Sequence, residues 1–142
     1  MLCPVCTAPM AVVAYRGVEL DTCPRCRGVW FDADELATLF ATAGVEEDQG
    51  RSLEASLRAV EGVVRRGRRC PRCRRPLREI EAPGGTPPLV LDRCPRGDGL
   101  WFDRDELRAL VAGSSQLTAA RPHSAMAEVV EFLGRFAAPE EV

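Results

Sequence analysis

The stretch Leu20-Asp21-Thr22-Cys23-Pro24-Arg25-Cys26-Arg27-Gly28-Val29-Trp30-Phe31-Asp32-Ala33-Asp34-Glu35-Leu36 decides the fold, because it returns 71 positions later as Leu91-Asp92-Arg93-Cys94-Pro95-Arg96-Gly97-Asp98-Gly99-Leu100-Trp101-Phe102-Asp103-Arg104-Asp105-Glu106-Leu107. Upstream of each stands a further pair, Cys3-Pro4-Val5-Cys6 with Pro9-Met10 and Cys70-Pro71-Arg72-Cys73 with Pro76-Leu77, at an offset of 67. A fixed order recurring twice marks an internal repeat. The two offsets differ by an insertion around Pro83-Gly84-Gly85-Thr86-Pro87-Pro88, a composition suited to a hairpin tip.

Between the cysteine pairs, Ala11–Tyr15 and Val18–Leu20 are β-prone and split by Arg16-Gly17, which predicts a hairpin. Ile80 and Leu89-Val90-Leu91 predict its counterpart. Asp32 with Glu35, and Asp103 with Glu106, have capping-box spacing, so a short helix should open in each repeat and stop at Gly44 or Gly113. Leu53, Leu57, Val60 and Val64 form one helical stripe, and Met126, Val129, Val130, Leu133 and Phe136 a second. The division expected is a ribbon over 1–44, an amphipathic helical linker over 45–66, a second ribbon over 67–113, and an amphipathic helix and tail over 114–142.

Cys3, Cys6, Cys23 and Cys26 form two CxxC pairs on either side of a hairpin, the spacing of a four-cysteine zinc ribbon. Two thiolates three positions apart reach one ion from a tight turn, and two such turns complete a tetrahedron. A redox dithiol sits singly at a helix start, unlike these flanking pairs, whereas four-cysteine iron stays open on spacing alone. Zinc is preferred because so small a ribbon draws its folding energy from the metal.

The second repeat keeps Cys70, Cys73 and Cys94, but Gly97 stands where Cys26 stands in the first. A degenerate, metal-free or weakly binding site is the first expectation there. Asp98 or His123, the single histidine, is the second as replacement ligand, and an open position holding water the third. One zinc per chain is therefore expected, and two if a replacement ligand serves.

The order C-P-x-C, hairpin, L-D-x-C-P-x-C-x-G-V-W-F-D-x-x-E-L resembles the bacterial transcription factor IIB-type zinc-ribbon family. The resemblance covers residues 1–40 almost throughout, and residues 70–111 apart from the missing cysteine and the insertion. It implies zinc on Cys3, Cys6, Cys23 and Cys26, by position on Cys70, Cys73 and Cys94, and no enzymatic activity.

Length and composition bound the rest. A chain of 142 residues with 6% aromatic content excludes a large single-core enzyme. Every basic residue is arginine, as expected of a GC-rich bacterial genome, and the formal net charge of −2 excludes a uniformly basic coat. With no apolar run of membrane-spanning length, no signal segment and cysteines in metal-type pairs, a cytoplasmic protein is expected.

Local charge runs against that average. Arg65, Arg66, Arg68, Arg69, Arg72, Arg74, Arg75 and Arg78 crowd around the second repeat's first cysteine pair, where guanidinium groups could track phosphates. The competing reading is that they neutralise thiolates and pair with acids. Trp30 and Trp101 are expected to seal the core rather than stack on bases. The function expected is a small α+β protein of two tandem zinc ribbons acting as a non-catalytic adaptor for nucleic acid or an RNA-polymerase-associated protein. The alternative is a protein-interaction or self-association module working through its amphipathic helices, with purely structural zinc. No small-molecule substrate and no membrane partner are expected.

Overall fold

The computed structural model describes residues 1–15, 17–42, 46–82, 89–103 and 106. Strands β1 (Ala11–Tyr15) and β2 (Val18–Thr22) pair antiparallel with Tyr15 opposite Val18, and Gly17 carries the turn at φ +83°. Strand β3 (Val29–Asp32) follows the second cysteine pair and leads into α1 (Glu35–Thr42). After α2 (Glu47–Ala59) come β4 (Val63–Arg69), β5 (Pro76–Ala82), β6 (Leu89–Arg93) and β7 (Gly99–Phe102).

These strands form one antiparallel sheet in the order β1-β2-β3-β7-β6-β5-β4, so the fold is α+β with a single sheet and two helices among the described residues. The repeats meet through β3 and β7. Trp30 pairs with Trp101, Val29 with Phe102 and Phe31 with Leu100. The tryptophans pair with each other and the flanking pairs exchange with one another, as a pseudo-two-fold axis at the tryptophans requires. On the other face of the ladder Phe31 and Phe102 meet edge to face, their centroids 5.4 Å apart. Trp30, Phe31, Trp101 and Phe102 are all fully buried, and the tryptophans lie in one cluster with Cys3, Cys23, Cys70, Cys94 and Leu77.

The helical linker expected over 45–66 needs correction. Helix α2 stops at Ala59, Val60 turns to extended backbone, and residues 63–66 belong to β4. Gly62 explains the break: a Cβ there would lie 2.8 Å from both the Glu79 carbonyl oxygen and Ile80 Cγ2, so the backbone is pressed onto β5 and leaves the helical path. Val63 and Val64, β-branched and exposed, continue in β4 as an edge strand. The stripe's Leu57 is buried as expected, but its Val64 faces solvent.

The capping box forms by half. The Asp32 N–H donates to Glu35 Oε1 at 2.7 Å and the Asp103 N–H to Glu106 Oε2 at 2.7 Å, while the Asp32 carboxylate is engaged elsewhere. Buried Glu54 of α2 supplies what that carboxylate does not, accepting the Asp34 and Ala37 N–H groups at 2.7 and 3.1 Å. Gly44, Gly113, His123, the insertion at 83–88 and the Met126–Phe136 stripe, for which the sequence raises expectations, lie outside the described residues.

Candidate metal centres

Cys3 and Cys6 sit on a turn closed by the Leu2–Pro9 bridge ahead of β1, the other cysteine turns lie between consecutive strands, and three of the four turns are alike. Thr7 N–H donates to the Cys3 carbonyl at 3.0 Å, Arg27 N–H to Cys23 at 2.9 Å and Arg74 N–H to Cys70 at 2.9 Å. Thr7, Arg27 and Arg74 occupy the left-handed region at φ 58°, 65° and 68°. Within these turns backbone N–H groups aim at sulfur: Val5 and Cys6 donate to Cys3 Sγ at 3.3 Å, and Arg72 and Cys73 donate to Cys70 Sγ at 3.3 and 3.4 Å. Such donors stabilise thiolates, the form that binds metal.

The fourth turn is tighter. Gly97 N–H closes it on the Cys94 carbonyl at 3.1 Å, one residue earlier than in the others, and Gly97 takes the left-handed conformation at φ 83°. This swings Asp98 inward. Its Oδ2 lies 3.6 Å from Cys70 Sγ and 3.5 Å from Cys94 Sγ, while Cys73 and Cys94 Sγ are 3.6 Å apart. Gly97 is therefore not a gap in the site but the hinge that brings a longer ligand into the place of Cys26. Of the alternatives the sequence left open for the fourth position, the geometry fits Asp98 as replacement ligand.

In the first repeat Cys3, Cys6, Cys23 and Cys26 converge, and in the second Cys70, Cys73, Cys94 and Asp98; in each group the ligand atoms lie within 4.8 Å of one another. Tetrahedral zinc, with Zn–S about 2.3 Å and Zn–O about 2.1 Å, requires S···S edges of about 3.8 Å and S···O edges of about 3.6 Å. The 3.6 Å between Cys3 and Cys26 Sγ and the contacts of Asp98 fit those edges. Burial pushes the Cys3 thiol up to about 11 and raises Cys26 and Cys70, whereas N–H donors bring Cys23 down against its burial. Hydrogen bonds from the thiols, Cys73 first, hold Asp98 below the usual carboxylate range. A cation entering either group would offset that burial cost by drawing the thiols into their charged form.

The arginine run divides. Arg68 bonds Asp92 at 2.8 Å and Asp103 at 3.0 Å, Arg65 pairs with Glu79 and Asp92 at 3.0 and 3.4 Å, and Arg72 grips Asp32. Arg69 donates to the Arg74 carbonyl at 2.9 Å. For Arg69, Arg74, Arg75 and Arg78 no acidic partner is present among the described residues, and nothing is described of the Arg66 side chain. What residue-by-residue reading missed is the pairing across repeats, since Asp32 and Arg72 are 40 positions apart with no local signal to join them.

Two turn-borne ligand pairs flanking a hairpin, once with four thiolates and once with three and a carboxylate, define a zinc ribbon, and both groups fit zinc binding. The chain belongs to the transcription factor zinc-finger family, the IIB-type zinc ribbons, whose model matches residues 2–42 and 69–113. No curated protein and no solved structure matches the chain. No helix among the described residues is long and apolar enough to cross a membrane.

Proposed function

We propose that this chain is a non-catalytic cytoplasmic adaptor, held in shape by zinc, that binds nucleic acid through the arginines at the turn end of its second repeat. The observation that carries this reading is the split in the arginine run. Arg65, Arg68 and Arg72 are occupied by acids, while Arg74 and Arg75 stand exposed beside Cys73 and Arg69 donates to the Arg74 carbonyl. Trp30 and Trp101 are fully buried and cannot stack on bases, which favours contact with phosphates over reading of sequence. A non-catalytic role is supported by the use of Glu35 and Glu106 as caps, each accepting the backbone N–H of the aspartate three residues before it.

The test is anisotropy of labelled single-stranded and duplex oligonucleotides titrated with the zinc-loaded chain across a salt series. Binding should weaken steeply with salt, and R74A/R75A should reduce the slope by about two phosphate contacts. Absence of binding at about 50 mM salt, or a slope that R74A/R75A leaves unchanged, would sink the reading. The alternative, a protein-interaction or self-association module, is favoured by exposed Met1, Leu2, Val5 and Val12 at the other end of the sheet. Association through those residues would be insensitive to salt and visible by sedimentation.

A further inference from the structure

The two metal centres are built alike but held differently. Asp32, at the end of β3 in the first repeat, takes both ends of the Arg72 fork, with Nε at 2.7 Å and a terminal nitrogen at 2.6 Å. Arg72 lies between the ligands Cys70 and Cys73, and its own N–H donates to Cys70 Sγ at 3.3 Å. One residue on, the Ala33 N–H donates to the Asp98 carbonyl at 2.9 Å. Adjacent residues of the first repeat therefore grip both turns of the second repeat's site, one through a side chain and the other through the backbone.

Asp32 is itself fixed in place. Trp30 Nε1 donates to its Oδ1 at 2.8 Å, and its N–H is held by Glu35. The side-chain half of the grip has no mirror image, because Val5 stands in the first repeat where Arg72 stands in the second. The site that receives the grip is also the one whose donor set is weaker for a borderline-soft ion, three sulfurs and a hard oxygen against four sulfurs. A mixed site gains more from having its turns set in advance, since less ordering remains for the ion to impose.

We infer that Asp32 is a positioning residue for the second metal centre, acting through Arg72, so that the zinc affinity of the second repeat is set by the first. This rests on the reading that Cys70, Cys73, Cys94 and Asp98 hold an ion. The experiment titrates the full chain with zinc against a chromophoric chelator, and with cobalt followed by its thiolate charge-transfer band, in the wild type, D32N, R72M and D32N/R72M. D32N keeps an acceptor for Trp30, and R72M changes a half-exposed side chain outside the core, so the two variants disturb different neighbours of the ion pair.

The expected result is two ions in every variant, with the first bound as in the wild type and the second about tenfold weaker in D32N. R72M should match D32N, and the double variant should be no worse than either. At saturating cobalt the absorption of the second site should be that of the wild type, showing a site intact but less well prepared. Equal weakening of both ions, an unchanged second ion, or additive losses in the double variant would overturn the inference and leave the second site standing. A wild type that takes up a single ion would overturn both.

Discussion

Trp30 and Trp101 face each other across the β3–β7 ladder, and each indole lies over the glycine two residues before the other: Trp101 over Gly28, Trp30 over Gly99. Exchange of the two repeats reproduces the contact. Each half thus packs its tryptophan on the other's glycine, and both tryptophans cluster with cysteines of both metal centres. A pair of ribbons with few large residues obtains one shared core in this way, where two separate cores would be too small to hold.

The glycines are needed for room. A Cβ on Gly28 would overlap the Trp101 ring, and one on Gly99 would lie 2.7 Å from Trp30 Cζ2 and collide with the Phe31 carbonyl oxygen. G28A and G99A should each destabilise the zinc-loaded chain by about 1–3 kcal/mol in denaturant unfolding, as overpacking of a tight core does. G99A should be the worse, because the backbone it meets cannot move aside as a ring can. Unfolding midpoints equal to wild type would show that the tryptophans have space to spare.

The arginines should separate into two kinds by stability. Asp92 is fully buried and Arg68 reaches it at 2.8 Å, so R68M leaves that carboxylate to Arg65 alone, at 3.4 Å, and should cost about 2–3 kcal/mol. R74A and R75A remove exposed groups with no acidic partner among the described residues and should change stability by less than about 0.5 kcal/mol. Thermal melts of the three variants check this. Similar losses in all three would mean that the run acts as one structural network.

The hairpins, the cysteine turns and the membership of the tryptophans in the core could be read from the sequence, because each is fixed by neighbours close in the chain: Arg16-Gly17 between β-prone runs, proline within CxxC, Trp30 and Trp101 beside their turns. The stripe Leu53-Leu57-Val60-Val64 misled, since helical spacing carried across Gly62 into a strand whose partner, β5, lies beyond the next cysteine turn. Asp98 was legible only as one candidate among several. Its selection depends on the φ of Gly97, which allows a turn one residue shorter, and nothing in the residue types alone states which turn forms. The pairings Asp32–Arg72 and β3–β7 join the repeats through contacts that no local pattern announces.

Metal content follows from the fourth turn. With Asp98 in place the chain should carry two zinc ions by elemental analysis after purification without added metal, where the sequence by itself led to an expectation of one. D98A should weaken the second ion by about tenfold or more while keeping the first, and should leave Cys70, Cys73 and Cys94 more reactive to thiol reagents. A single ion in the wild type, with D98A indistinguishable from it, would mean that the carboxylate does not serve as a ligand.

Glu35 and Glu106, equivalent in the two repeats, give the chain a pH dependence of defined sign. Burial, aided by Asp32 and Asp21 in one case and Asp103 and Asp92 in the other, pushes both carboxyls up from 4.5 to about 7. A carboxyl whose folded value is raised favours folding in its protonated form, so this contribution is complete below about pH 4.5 and is lost as pH rises through about 7. E35Q and E106Q keep an oxygen for the N–H of Asp32 and Asp103 while removing the charge. At about pH 8 each should stabilise the zinc-loaded chain by about 1 kcal/mol, a figure reduced for partial exposure, and at about pH 4.5 the gain should largely vanish. Denaturant unfolding at the two pH values measures the difference. A loss of stability in E35Q at the higher pH would show that the backbone N–H of Asp32 needs a charged acceptor more than the buried site needs relief from charge.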